Sequence, residues 1–375
     1  MARRRSLFML SVAVLFGCRA ESESVEPEVT PEVEAPPPVE APPVVRVEPP
    51  PRLEYEFTAV DPVDEPAEVI EFRDVVVTPD GERGFAVGRA TFGGRAVLLE
   101  LNEGRWAAGT LPTLPSGAQL TDVVTDETGR HAWAIGVALA SDVTPLVLRR
   151  DDAVWSMDEA ALAVLAAMSP TATPSAIALT PDARDGWLFG GDFSEEQMRY
   201  VGACARFDGQ TWTLHPAPDH QEVFAVWISR DGTQGWAAGR RAGAMTLSDG
   251  RWTQTEVLAD RSTVGVWFDD SGREGWAVGN HISRFEEGSW ATVLPEQQEY
   301  YPGLWFHPTG ATGFIVGEPG RGAGLGSRWI DGQWAPLTHE LLAAQQNYAV
   351  ALSEDATQGW IVGNGNLIHM VGTPP

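Results

Sequence analysis

Lysine is absent from this 375-residue chain: all 26 basic residues are arginine, a bias of composition rather than of mechanism. Positive charge is scarce altogether, and 52 acidic residues bring the formal net charge to −26. That balance argues against nucleic acid and against electrostatic adhesion to anionic lipid, and it suits solubility outside the cell and cationic partners. Cysteine is nearly missing too, with Cys18 and Cys204 the only two. Cys204 lies in the strand-like run Ala203-Cys204-Ala205-Arg206-Phe207 and reads as a small buried residue. Signatures of catalysis are also wanting. There is no Gly-x-Ser-x-Gly motif and no phosphate-cradling loop. His220, His281 and His307 lack metal-ligand spacing. Asp269-Asp270-Ser271-Gly272-Arg273-Glu274 lacks the alternating carboxylates of a calcium loop and reads as a plain turn. No cofactor and no metal are expected.

What is present begins with an export signal. Arg3, Arg4 and Arg5 precede the apolar run Leu7 to Phe16, too short for a bilayer core of roughly 30 Å. The run ends in Leu15-Phe16-Gly17-Cys18, which resembles the bacterial lipobox, where a cysteine is lipidated and becomes the mature N-terminus. The resemblance makes residues 1–17 a signal peptide and Cys18 the lipidation site. It implies a protein held at a membrane of the bacterial cell envelope by its lipid anchor only. Losing Arg3, Arg4 and Arg5 would take the charge from −26 to −29. Cys204 would then have no disulfide partner. Arg19 follows the cysteine, so an aspartate retention signal for the inner membrane is absent. Residues 18–53 read as a disordered stalk, because residues 19–53 hold ten prolines and eight glutamates with little but valine to bury. At about 3.1 Å per residue, such a stalk reaches on the order of 110 Å.

The remaining residues, 54–375, are organised by a repeat. Seven times a turn leads into a block such as Gly84-Phe85-Ala86-Val87-Gly88, Gly235-Trp236-Ala237-Ala238-Gly239 or Gly359-Trp360-Ile361-Val362-Gly363. A unit of roughly 40–50 residues is the period of four-stranded propeller blades. Aligned on the block's aromatic, the repeats need no gap for nine residues upstream, where Val76, Val124, Ala178, Trp227, Trp267, Trp305 and Ala351 stand in short apolar runs. Those runs read as strand A, the block as strand B, and the Asp-Gly-like residues between them as the turn. A second turn recurs before a second tryptophan, as in Asp249-Gly250-Arg251-Trp252 and Asp331-Gly332-Gln333-Trp334, and defines strands C and D. The seventh repeat stops at Leu367-Ile368-His369-Met370, its strand C, and Leu53-Glu54-Tyr55-Glu56-Phe57 supplies the missing strand D. The expected fold is an all-β, seven-bladed β-propeller of four-stranded blades closed by an N-terminal strand, which leaves no open sheet edge. Eleven of the 15 tryptophans occupy the two repeated positions and are therefore structural, filling the wedges between blades. Trp329 falls outside the pattern and is a candidate for ligand stacking. Ser156-Met157-Asp158-Glu159 reads as a capping box ahead of a short helix from Ala160 to Met168, inserted between the second and third blades. Such a helix would cover the channel or dock a partner.

With these residues in view, the chain resembles bacterial secreted propellers built from Trp-Ala-Val-Gly repeats. It is also similar to the Asp-box (sialidase-type, BNR) and photosystem-assembly-factor propellers. The Asp-box pattern Ser-x-Asp-x-Gly-x-Thr-Trp sits at the C–D hairpin, where this chain has Asp208-Gly209-Gln210-Thr211-Trp212 without the spacer between Asp and Gly. In those families the motif is a folding device and carries no sialidase activity.

The A–B and C–D hairpins share one face of a propeller, and the irregular B–C and D–A loops share the other. The ligand-binding candidates lie on the irregular loops: Arg240, Arg241, His220, Glu222, Arg261, His281, Tyr300, Tyr301, Arg321 and Tyr348. An acidic, tyrosine-lined mouth with a few arginines suits a polypeptide, here an envelope protein, or a polar glycan. The reading is a monomeric, non-enzymatic binding or scaffolding module. The alternative is a glycan-directed hydrolase or lyase using carboxylates of the irregular face, Glu222 and Glu299 for example.

Overall fold

The computed structural model describes residues 49–61, 70–91, 94–140, 142–169, 171–194, 199–215, 222–239, 244–255, 262–294, 300–318 and 325–375. Those residues form seven sheets, each of four antiparallel strands in the order A-B-C-D. Strand A of successive blades is Ile70–Val77, Ala118–Thr125, Thr173–Leu179, Val223–Ile228, Thr263–Phe268, Tyr300–Phe306 and Asn347–Leu352. Each repeated block is strand B, as its alternation of large and small residues requires. The last blade closes as expected. Glu54–Ala59 pairs antiparallel with Leu367–Thr373, placing Tyr55 opposite Gly372 and Ala59 opposite Ile368.

The closing glycine of the block answers to a close approach. Strand A is bulged in every blade, for instance between Phe72 and Asp74 and between Val223 and Ala225. The bulge drives a strand A carbonyl toward strand B. A Cβ on Gly239 would lie 1.9 Å from the Glu222 oxygen, and one on Gly363 1.9 Å from that of Gln346. No side chain fits there.

The A–B turns show a second rule, complementarity between a residue and the one two positions on. Thr78 donates to Asp80 (2.5 Å), Thr180 to Asp182 (2.8 Å), Ser229 to Asp231 (2.6 Å) and Ser353 to Asp355 (2.6 Å). In two blades the polarity is reversed: Thr128 donates to Asp126 (2.9 Å) and Ser271 to Asp269 (2.5 Å). His307 and Thr309 (2.7 Å) fill the same places in the sixth blade. The Asp269 turn is thus the plain turn expected of it.

Seams between blades are built from perpendicular rings. The strand D aromatic of each blade meets the strand B aromatic of the blade before it, as Trp106 meets Trp360 and Trp252 meets Trp187. All seven seams have this contact, with centroids 5.1–6.4 Å apart and planes 80–90° apart. In the closing blade Tyr55 replaces the tryptophan, edge-on to Phe314 at 5.1 Å, and its hydroxyl donates to the Ala356 carbonyl at 2.9 Å. Each pair adds about 0.5–1.5 kcal/mol beyond the area it buries. On strand C a cation often lies over the strand B ring. Arg149 covers Trp133 (5.1 Å), Arg206 covers Trp187 (5.8 Å) and Arg328 covers Phe314 (5.6 Å). Planar guanidinium suits this stacking better than an ammonium. Several arginines therefore have a mechanical role that composition alone did not disclose.

Two expectations need correction. Trp329 is buried at 8% exposure, edge-on to Trp276 at 4.7 Å and tilted against Trp334 at 5.5 Å, so it is a core residue of the fifth seam. The inserted helix, α1 (Glu159–Ala166), is capped by Asp158 and not by Ser156. Asp158 accepts from the Ala161 amide (3.0 Å) and from the indole N–H groups of Trp133 (2.9 Å) and Trp212 (3.0 Å). Three donors on one buried carboxylate outweigh the capping-box alternative. The helix buries Ala161 and Leu165 in the seam between the second and third blades, away from the channel.

Candidate functional site

The seven A strands surround an axial cavity of about 480 Å³, lined by residues from every blade. Its surface is more polar than apolar, because Val75, Val123, Ile177 and Val350 of the A strands are buried in the seams between blades. At the hairpin face, Arg230 of the fourth blade and Glu354 of the seventh approach to 4.0 Å. Those blades are not neighbours, so the contact spans the axis.

The opposite, irregular mouth is polar. Arg73, the bulged residue of the first strand A, lies over the Tyr348 ring at 5.0 Å and pairs with Glu71 at 2.5 Å. Arg89 donates to Glu71 at 2.7 Å and to Gln119 at 3.2 Å, extending the network to the second blade. The Tyr348 hydroxyl donates to Gln346 at 2.6 Å. Burial raises the Tyr348 and Tyr300 hydroxyls, with the Glu318 carboxylate adding to it and Arg73 opposing it. Across the mouth, burial raises Tyr200, and the Glu222 carboxylate adds to it. The rim thus combines guanidinium, phenol and carboxylate groups around the channel.

The channel also holds an unexpected carboxyl pair. Asp74 Oδ2 accepts from the Val123 amide at 3.0 Å, and Asp122 Oδ2 accepts from the Ile177 amide at 3.1 Å. Both side chains line the channel and are half-buried. Desolvation, and then the Asp122 charge, push Asp74 well above the usual carboxylate range; Asp122 is raised by desolvation.

Of the candidates named from sequence, the structure brings Tyr300 and Tyr348 together at the mouth, with Glu222 beside Tyr200. Tyr301 is turned away, buried at 7% exposure in the seam cluster with Trp276 and Ile315. His281 is likewise buried, at 2% exposure, in the B–C connection of the fifth blade. Arg240, Arg241, His220, Arg261, Arg321, Glu299 and Cys18 lie outside the described residues. Sequence reasoning missed Arg73, Asp74 and Asp122. The aspartates did leave a signal: in their aligned column the other five repeats have Ala176, Ala225, Gly265, Gly303 and Ala349. Among the described residues no group of three His, Cys, Asp or Glu is arranged to hold a metal ion.

No protein-family model matches the chain, and no curated protein sequence matches it. Solved structures do. The structure described as YCF48 bound to D1 peptide has a TM-score of 0.59 at 19% identity, covering 86% of this chain and 99% of that one. YCF48 from Cyanidioschyzon merolae gives 0.55 at 15%, over 84% and 98%. At such identities the likeness is one of fold, and it defines the class: a seven-bladed β-propeller. The resemblance to photosystem-assembly-factor propellers is met at that level.

Proposed function

We propose that this chain is a non-enzymatic propeller that binds an extended segment of a partner protein at the irregular mouth of its channel. The observation that carries the reading is the mouth itself. Arg73 and Tyr348, from the first and seventh blades, line a cavity of about 480 Å³, and the Arg73 charge reaches Tyr300 of the sixth blade, as does that of Glu318. Guanidinium, phenol and carboxylate groups on a rim read backbone amides and side chains, and the channel below takes what projects from them. A solved propeller of similar shape is described as bound to a peptide, which supports the same use. A lipid anchor at Cys18 and a stalk over residues 18–53 would hold this mouth at the cell envelope, with an envelope protein as partner.

Site-specific photo-crosslinking tests the reading. A photoreactive phenylalanine analogue in place of Tyr300 should yield a polypeptide adduct in envelopes of the native cell. The same probe in place of Thr213, exposed on an outer strand, should not. Equal yields from both positions, or none from position 300, would rule out binding at the mouth.

A further inference from the structure

Asp74 and Asp122 stand in register on strand A of the first two blades, where every other blade has alanine or glycine. Each carboxyl reaches forward across a seam to the backbone of the next blade, Asp74 to Val123 and Asp122 to Ile177. The Val123 amide that Asp74 binds belongs to the residue next to Asp122, so the two carboxyls face the same seam of the channel wall. Two ionised carboxylates so placed repel one another, and one proton on the pair relieves the repulsion.

The charged groups on the strands packed around the pair are engaged elsewhere. Arg73 and Arg89 bind Glu71, and Arg83 donates to the Thr128 carbonyl. His131 faces Asp151, Glu100 accepts from Trp155, and Tyr348 donates to Gln346. The third strand A carries no charged residue. Among the described residues, therefore, no cation takes the proton's place.

We infer that Asp74 and Asp122 form a proton-dependent latch on the first three blades. With one shared proton the pair ties those blades together at the channel. Loss of that proton to solvent sets two negative charges against each other and loosens the same two seams. In the unfolded chain an aspartate loses its proton near pH ~4. In the folded chain it is kept to higher pH. The stabilisation is therefore complete in acid and is lost as pH rises through the folded value.

The test is denaturant unfolding of the full chain at pH steps from 5 to 9, comparing wild type with Asp74→Asn. Asparagine keeps the acceptor for Val123 and removes the charge that repels Asp122. The wild-type folding equilibrium should fall more steeply than the variant's, by up to about tenfold per pH unit for one proton. Infrared difference spectra should show a protonated carboxyl in wild type above the pH at which an ordinary aspartate ionises, which disappears in alkali and is missing from the variant. If Asp74→Asn does not fold, Asp122→Asn takes its place in both measurements. Parallel stability curves overturn the proposal, and so does a difference spectrum without the protonated band; where the two disagree, the spectrum decides.

Discussion

The hairpin face and the channel mouth are made by the same seven repeats, yet they follow opposite rules. On the hairpin face, a change in one residue is answered by a change two positions on. Asp126 with Thr128 and Asp269 with Ser271 reverse the Thr78–Asp80 arrangement without altering the turn. Around the channel, a change in one blade goes unanswered in the others. Arg73 corresponds to Thr121, Ser175 and Phe224 on the next three blades, and Asp74 to an alanine or glycine on five. Where a position is set by the repeat it serves the fold. Where the ring departs from its own symmetry, the side chains are free to serve something else.

Three sets of substitutions would break or sharpen that contrast. The largest effect belongs to the seams. Trp360→Ala removes a ring exposed by only 2% that packs edge-on to Trp106, and should cost about 3–5 kcal/mol in denaturant unfolding. A loss below about 1 kcal/mol would mean that the perpendicular rings do not hold the ring of blades together. Next is the bulge contact. Gly239→Ala places a methyl where the Glu222 carbonyl already lies, and a cost of about 1–3 kcal/mol is expected. Gly104→Ala is its control: that residue has open space around it but a φ of +77°, so only about 1–2 kcal/mol of backbone strain applies. Equal costs with a relaxed bulge in the Gly239 variant would show that close approach is not what selects the glycine. The smallest effect tests the turn rule. Ser229→Asp and Asp231→Ser should each cost about 1 kcal/mol singly, through repulsion or a lost bond. Together they should return near wild type, because the pair then has the polarity of Asp269 and Ser271. Additive losses in that double-mutant cycle would refute the complementarity.

Much of the architecture was legible before any coordinates. The repeated block announced strand B, the recurring Asp-Gly turns announced both hairpins, and the alternating segment around Tyr55 announced the closing strand. These are local signals, written in period and turn chemistry. The misreadings all concern residues whose partners come from another blade. Trp329 looks unplaced along the chain but lies against Trp276 of the neighbouring sheet. Ser156 looks like a cap, yet Asp158 has two extra donors, one from the blade before the helix and one from the blade after it. The site was legible only in part. Tyr300 and Tyr348 could be named from their loops, but the Arg73 guanidinium that links them sits in the middle of a strand. Asp74 and Asp122 were readable as an odd column in the alignment, though not as a pair.

By itself the sequence determined the number of blades, the order of strands within each, and the way the ring closes. A repeat imposes the same local solution each time it recurs, and nothing distant is needed to state it. Only the tertiary structure decided which side chains face one another across a seam or across the axis. Asp74 and Asp122 are 48 residues apart, and Arg73 and Tyr348 are 275 apart. Closing the ring sets them within reach, and that closure is a property of all seven blades together.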